Sequence, residues 1–95
     1  MKQQNNQRAI ISVIGPDEIG IVAKVTTLLA EYHVNVIDIS QTIMDGIFTM
    51  MMLADLESAT ISFAEISSRL KTLGSKIGQE ISIYDEQIIR VMHRI

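Results

Sequence analysis

The stretch "TIMDGIFTM", Thr42 to Met50, constrains the fold of this chain most. Asp45-Gly46 separates two runs of β-branched and apolar residues. A two-residue Asp-Gly loop is the strongest short hairpin signal, because a type I′ turn needs positive φ at both central positions. The loop sets a register in which Met44 opposes Ile47, Ile43 opposes Phe48, Gln41 opposes Met50, Ile39 opposes Met52 and Ile37 opposes Ala54. The last four pairs share one nearly apolar face, which should meet helices. The other face carries Asp38, Ser40 and Thr42 on one strand and Thr49, Met51 and Leu53 on the next. That face is amphipathic, and something should cover part of it. The methionines read as soft core filler; the alternative is a Met-rich surface for a partner, for which Met51 alone of the three consecutive methionines is placed.

The hairpin lies between two strand–helix patterns. "RAIISVI", residues 8–14, is a strand. After the turn "GPDEIG", Ile21, Val22, Val25, Leu28, Leu29 and Tyr32 form one helical stripe. His33 falls in the following turn, and "VNVIDISQTIM" resumes strand alternation. Beyond the hairpin, Ser62-x-x-Glu65 is a capping box. Phe63, Ile66, Leu70, Leu73 and Ile77 then step by three and four, with Gly78 placed to end a second helix. "EISIYD" is a last short strand. Asp85 caps a third short helix with Ile88, Ile89, Met92 and Ile95 on one side. The order βαββαβ predicts an α+β, ferredoxin-like sandwich: a four-stranded antiparallel sheet, two helices on one face, and a short C-terminal helix. The expected organisation is a flexible N-terminus over 1–7, one domain over 8–84 and a helical tail over 85–95. The second strand falls at a sheet edge, and an unpaired edge invites another chain.

Composition narrows the function. The 95 residues include no cysteine, so there is no disulfide framework, thiolate metal site or thiol nucleophile. Eight Lys and Arg are scattered and the net charge is −3, which argues against direct nucleic-acid binding, since that needs a basic stripe. No apolar run approaches the ~20 residues of a membrane span. "MKQQNNQR" lacks the apolar core of a signal peptide, so the expected location is cytoplasmic. His33 and His93 are far apart and the carboxylates fall mostly in turns. No nucleophile elbow, P-loop or metal-ligand spacing is present. The expectation is a non-enzyme with no catalytic residues, no metal and no cofactor.

The turn "VIGPDEIGIVAKV" concentrates two glycines, a proline and two acids at one strand-to-helix junction. A helix start presents unpaired N–H groups and partial positive charge, which attract carboxylates. Asp17 offers an acceptor to an ammonium group, or a cap to the helix. A free amino acid carries both charges. The plain structural reading, in which Pro16, Asp17 and Gly20 only shape the turn, also fits the spacing.

The run "RAIISVIGPDEIGIVAKVTTLLAEYHVNVIDIS" resembles the first half of an ACT domain. The likeness rests on Asp17-x-x-Gly20, on Ile21-Val22-Ala23 and on Val34-Asn35-Val36 entering the next strand. The ending "VMHRI" resembles small stand-alone bacterial and archaeal ACT proteins. The resemblance implies a regulatory module that pairs side by side into one eight-stranded sheet. An amino acid would then bind between the first turn of one subunit and the second strand of the other. Carried onto this chain, Asp17, Ile19, Gly20 and Ile21 form one side, and Asn35, Val36 and Ile37 the other. Glu18-Ile19 stands where many amino-acid-binding members carry Arg-Pro or Gln-Pro. The implied function is a homodimeric, allosteric sensor of a small molecule, acting on a separate enzyme or regulator. The alternative is a protein–protein interaction module without a small ligand, docking through its sheet edge or open face.

Overall fold

A computed structural model describes residues 7–92. The expected flexible segment, except Gln7, and the last three residues of the tail lie outside them. The elements are β1 (Arg8–Pro16), α1 (Ile21–Glu31), β2 (Asn35–Met44), β3 (Ile47–Asp55), α2 (Phe63–Ile77), β4 (Glu80–Asp85) and α3 (Glu86–Met92). The four strands form one antiparallel sheet in the order β2-β3-β1-β4, the ferredoxin-like arrangement. β2 and β4 are its edges.

Strand alternation builds the core. Ala9, Ile11 and Val13 on β1, Phe48, Met50, Met52 and Ala54 on β3, and Ile81 on β4 are buried. They meet Ile21, Val25 and Leu29 from α1 and Ile66 and Leu70 from α2. Among the three consecutive methionines, Met50 and Met52 are buried and Met51 is half-exposed on the opposite face, because successive strand residues point to opposite sides. The caps follow their sequence signals. Ser62 and Glu65 form the reciprocal capping box, Gly78 ends α2, and the Asp85 side chain accepts from the Gln87 amide.

The hairpin register holds from Met44↔Ile47 through Ile39↔Met52. It then shifts: Val36, not Ile37, opposes Ala54, and an irregularity lies between Val36 and Asp38. This bulge sends the smaller Val36 to the helical face, where it packs against the core, and leaves Ile37 exposed. The turn adopts its expected backbone, with φ of 51° at Asp45 and 81° at Gly46. The apolar face of β2 is only partly covered. Ile39 and Ile43 stay exposed opposite the buried Met52 and Phe48. An edge strand has no neighbour on its outer flank, and sheet twist turns it away from the helices.

A charged latch holds the tail. The Arg8 guanidinium donates twice to Glu86, at 2.9 and 2.7 Å, and Arg90 donates to the same carboxylate at 2.8 Å. Hydrogen bonds from Arg8 and then Arg90 hold the Glu86 carboxyl at about 2, below its ordinary 4.5. Gln7 adds a 3.0 Å hydrogen bond to Asp85. A carboxyl whose folded pKa is depressed contributes stability above its unfolded pKa and loses it as pH falls through the folded value. Backbone amides of α3 should therefore lose hydrogen-exchange protection between pH 4.5 and about 2, the window set by Glu86. Glu86→Gln should be unprotected across that window.

The two faces also predict unequal substitution costs. Met50→Ala should destabilise the chain by about 2–4 kcal/mol in urea unfolding, and Met51→Ala by less than about 1 kcal/mol.

Candidate functional site

β1 does not stop at Ile14. Gly15 and Pro16 continue it and pair with Phe48 and Ile47, so the junction is the short loop Asp17–Gly20. Two hydrogen bonds clamp its start. The Asp17 amide donates to the Gly46 carbonyl at 3.0 Å, tying the loop to the hairpin turn. On the other side, Gln79 Nε2 donates to the Pro16 carbonyl at 2.7 Å. The Gln79 amide thus continues the β4 ladder one step beyond the last β1–β4 pair, Ile14↔Glu80. Gly15 makes this possible, since a Cβ there would stand 2.5 Å from Gln79 Oε1.

The loop delivers the chain into α1 through Gly20, whose φ of 89° is left-handed. A side chain there would cost about 1–2 kcal/mol. The Gly20 carbonyl accepts the first helical bond, from the Lys24 amide at 3.0 Å. No side chain caps α1, and its first turn contains no acid. Asp17 therefore does not serve as the helix cap. The start of α1 keeps the positive end of its dipole uncompensated by the protein's own carboxylates. One cation strengthens it: Lys24 Nζ stands 3.4 Å from the position a Gly20 Cβ would take. Among the described residues, Lys24 has no ion-pair partner.

The expected site residues divide sharply. Asp17 and Ile19 are exposed, Ile19 at 99%, and Gly20 is half-buried at the helix start. Ile21 is a core residue, 4% exposed, and offers only its backbone. Asn35, Val36 and Ile37 sit at the far end of the sheet. Asn35 pairs with Asp55, which pairs with Arg8, whereas the loop adjoins Met44, Ile47 and Pro16. One chain does not bring the two halves together. Asn35 is a strand residue and does not take left-handed φ, which His33 takes instead at 59°.

Two polar residues near the loop stand outside the sequence expectation. Lys24 lies four residues beyond Gly20, and helix side chains lean toward the N-terminus, so this spacing was a usable signal. Gln79 carried none, because only the tertiary fold sets it under Gly15. It is 6% exposed and its Oε1 has no hydrogen-bond partner. A cleft of about 550 Å³ opens between α1 and α2, where Arg69 stacks on Tyr32 at 5.0 Å. Its charges, Glu31, Glu65, Arg69 and Lys76, are balanced and solvated, and no buried polar group converges there.

Residues 7–84 match the family model of the ACT domain. The chain belongs to the ACT-domain family. Over 90 residues it is 47% identical to a UPF0237 protein of Methanosarcina acetivorans, a match covering 95% of this chain and 98% of that one. An ACT domain protein from Streptococcus pneumoniae superposes with a TM-score of 0.79 at 35% identity, over 90% of this chain and 96% of that one. The regulatory subunit of aspartate kinase from Thermus thermophilus superposes at 0.64 with 27% identity, over 86% of this chain and 53% of that one. ACT domains are in general regulatory modules that bind small ligands. No helix among the described residues of this ACT chain is long and apolar enough to cross a membrane.

If the Gln79 amide holds the start of this ACT loop, Gln79→Leu should free it. Losing one hydrogen bond offsets removing a buried unpaired oxygen, so global stability should shift by less than about 1 kcal/mol. The Asp17 amide should nevertheless exchange faster by nuclear magnetic resonance.

Proposed function

We propose that this ACT protein is a cytoplasmic, non-catalytic regulatory module that binds a free amino acid between two copies of itself. One observation carries the reading: the β2 edge is unpaired and joins the two separated halves of the site. Asn35 and Met44 are the two ends of β2, about 30 Å apart at the usual rise per residue. If two β2 edges pair antiparallel, the partner's first strand residue comes about 4.8 Å from Met44, one strand spacing away. The Asp17–Gly20 loop then faces the partner's Asn35, Val36 and Ile37. The exposed Ile39 and Ile43 become covered in the same step.

Each part has a chemical role in this reading. The α1 amides and the Lys24 ammonium take the ligand carboxylate. Asp17 takes its ammonium. Glu18 faces solvent. The Asn35 amide both donates and accepts and reads the polar end of the ligand. A ligand seated between subunits favours one arrangement of the pair, and a separate enzyme or regulator responds to that arrangement.

Calorimetry with each of the twenty amino acids tests this. At least one should bind. Lys24→Ala should weaken it about tenfold, or about 1.4 kcal/mol, and Asp17→Ala with Asn35→Ala should abolish it while leaving the mass of the pair unchanged. Silence from all twenty at millimolar concentration overturns the sensor. An interaction module docking by the same edge would keep its partner in the double variant.

A further inference from the structure

We infer that Gln79 is a positioning residue for ligand capture: it hangs the Asp17–Gly20 loop on the C-terminal end of α2. The amides offered at the start of α1 then take their position from α2 as well as from the sheet. The effect on a ligand rests on the amino-acid reading above, whereas the mechanical link stands without it.

Contacts converge on Gln79 from two segments distant in sequence. On the α2 side, Gly78 turns the chain back with φ of 73°, and the Gln79 amide donates to the Gly74 carbonyl at 2.9 Å. Gly74 is buried, and a Cβ there would stand 2.5 Å from the Gln79 carbonyl oxygen, so the two segments meet backbone to backbone. On the loop side, Gln79 Nε2 donates to the Pro16 carbonyl at 2.7 Å. The side-chain amide lies against Gly15, where a Cβ would meet Oε1, Cδ and Nε2 at 2.5, 2.7 and 2.9 Å. One residue thus has its backbone fixed by α2 and its side chain fixed by the end of β1.

The Pro16 carbonyl and the Asp17 amide belong to the same peptide group, which is planar. Gln79 holds the oxygen of that plane, and Gly46 accepts from its N–H at 3.0 Å. The plane is therefore gripped from both sides. Four residues separate it from α1, so its tilt sets where the first amides of the helix point.

Packing alone does not account for an amide at this position. Exchanging the nitrogen and oxygen of the Gln79 side chain would set two oxygens 2.7 Å apart, so the hydrogen bond to Pro16 decides the orientation. That orientation leaves Oε1 without a partner in a side chain only 6% exposed. A buried acceptor without a partner costs stability, which an apolar side chain of similar size would avoid. What the amide adds is the donor to Pro16.

Two variants of the full-length chain separate this link from general loosening. Gly78→Ala strains the end of α2 without a clash, since a Cβ there meets nothing within 4 Å while φ is left-handed. Nuclear magnetic resonance should show faster exchange of the Gln79 amide and, through the link, of the Asp17 amide by about threefold. In Gln79→Leu the Asp17 amide is already fast, and adding Gly78→Ala should change it by less than about 1.5-fold. Circular dichroism checks that each variant folds. An Asp17 amide indifferent to Gly78→Ala overturns the inference, and so do effects that multiply in the double variant. Calorimetry adds the ligand. Any of the twenty amino acids that binds the unaltered chain should bind Gln79→Leu at least about fivefold more weakly; equal affinity overturns the role in capture. Silence from all twenty removes the amino-acid reading, and the exchange comparison then decides the mechanical link by itself.

Discussion

The pairing of β1 with β3 is the constraint on which the rest depends. It is central in the sheet, and its register runs unbroken from Arg8↔Asp55 to Pro16↔Ile47. Because Pro16 ends beside the hairpin turn, the Asp17 amide reaches the Gly46 carbonyl and the loop into α1 starts from a fixed point. Slipping this register by one residue would turn Ile11 and Val13 outward and lift the loop off the hairpin. The core and the candidate site therefore stand on the same ladder.

That ladder also explains why the polar side chain of Gln79 is buried. Pro16 has a carbonyl with no strand partner once β4 has ended. Gln79 supplies a side-chain donor in place of a strand. Its own Oε1 is left unpaired as a consequence of that geometry. At the other end, Arg8 and Gln7 fasten the tail to the start of β1. Both ends of β1 are thus secured by polar contacts, whereas its middle is secured by packing.

Apart from Ile19 in the loop, the exposed large apolar side chains fall in two places, the β2–β3 hairpin edge and the open face with α3. Scattered exposed hydrophobics are ordinary in small domains. Here Ile39 and Ile43 lie on one face of an edge strand, while Ile88 to Met92 crowd a single short helix. Small domains bury a limited fraction of their surface. A chain of this size that leaves two contiguous apolar zones uncovered has the surface expected of a protein that works in association with others.

Much of the fold was legible in the sequence, because its signals are local. Asp45-Gly46 dictates the hairpin, Ser62-x-x-Glu65 starts α2, and the period of Val22, Val25, Leu28 and Leu29 defines α1. Local chemistry missed whatever needed two distant segments. The bulge at Val36 arises because the core at Ala54 accepts Val36 in place of Ile37, a matter of packing. Gln79 acquires its role only when Gly15 is laid beside it, and Ile21, adjacent to the loop in sequence, is turned into the core by the first helical turn. The sequence by itself determined the elements, their order and the glycine-rich entry to α1, since turn and helix signals act over a few residues. Only the tertiary structure decided that Asn35 and Gly20 lie at opposite ends of the sheet, because strand register sets the distance between residues that chain order leaves open.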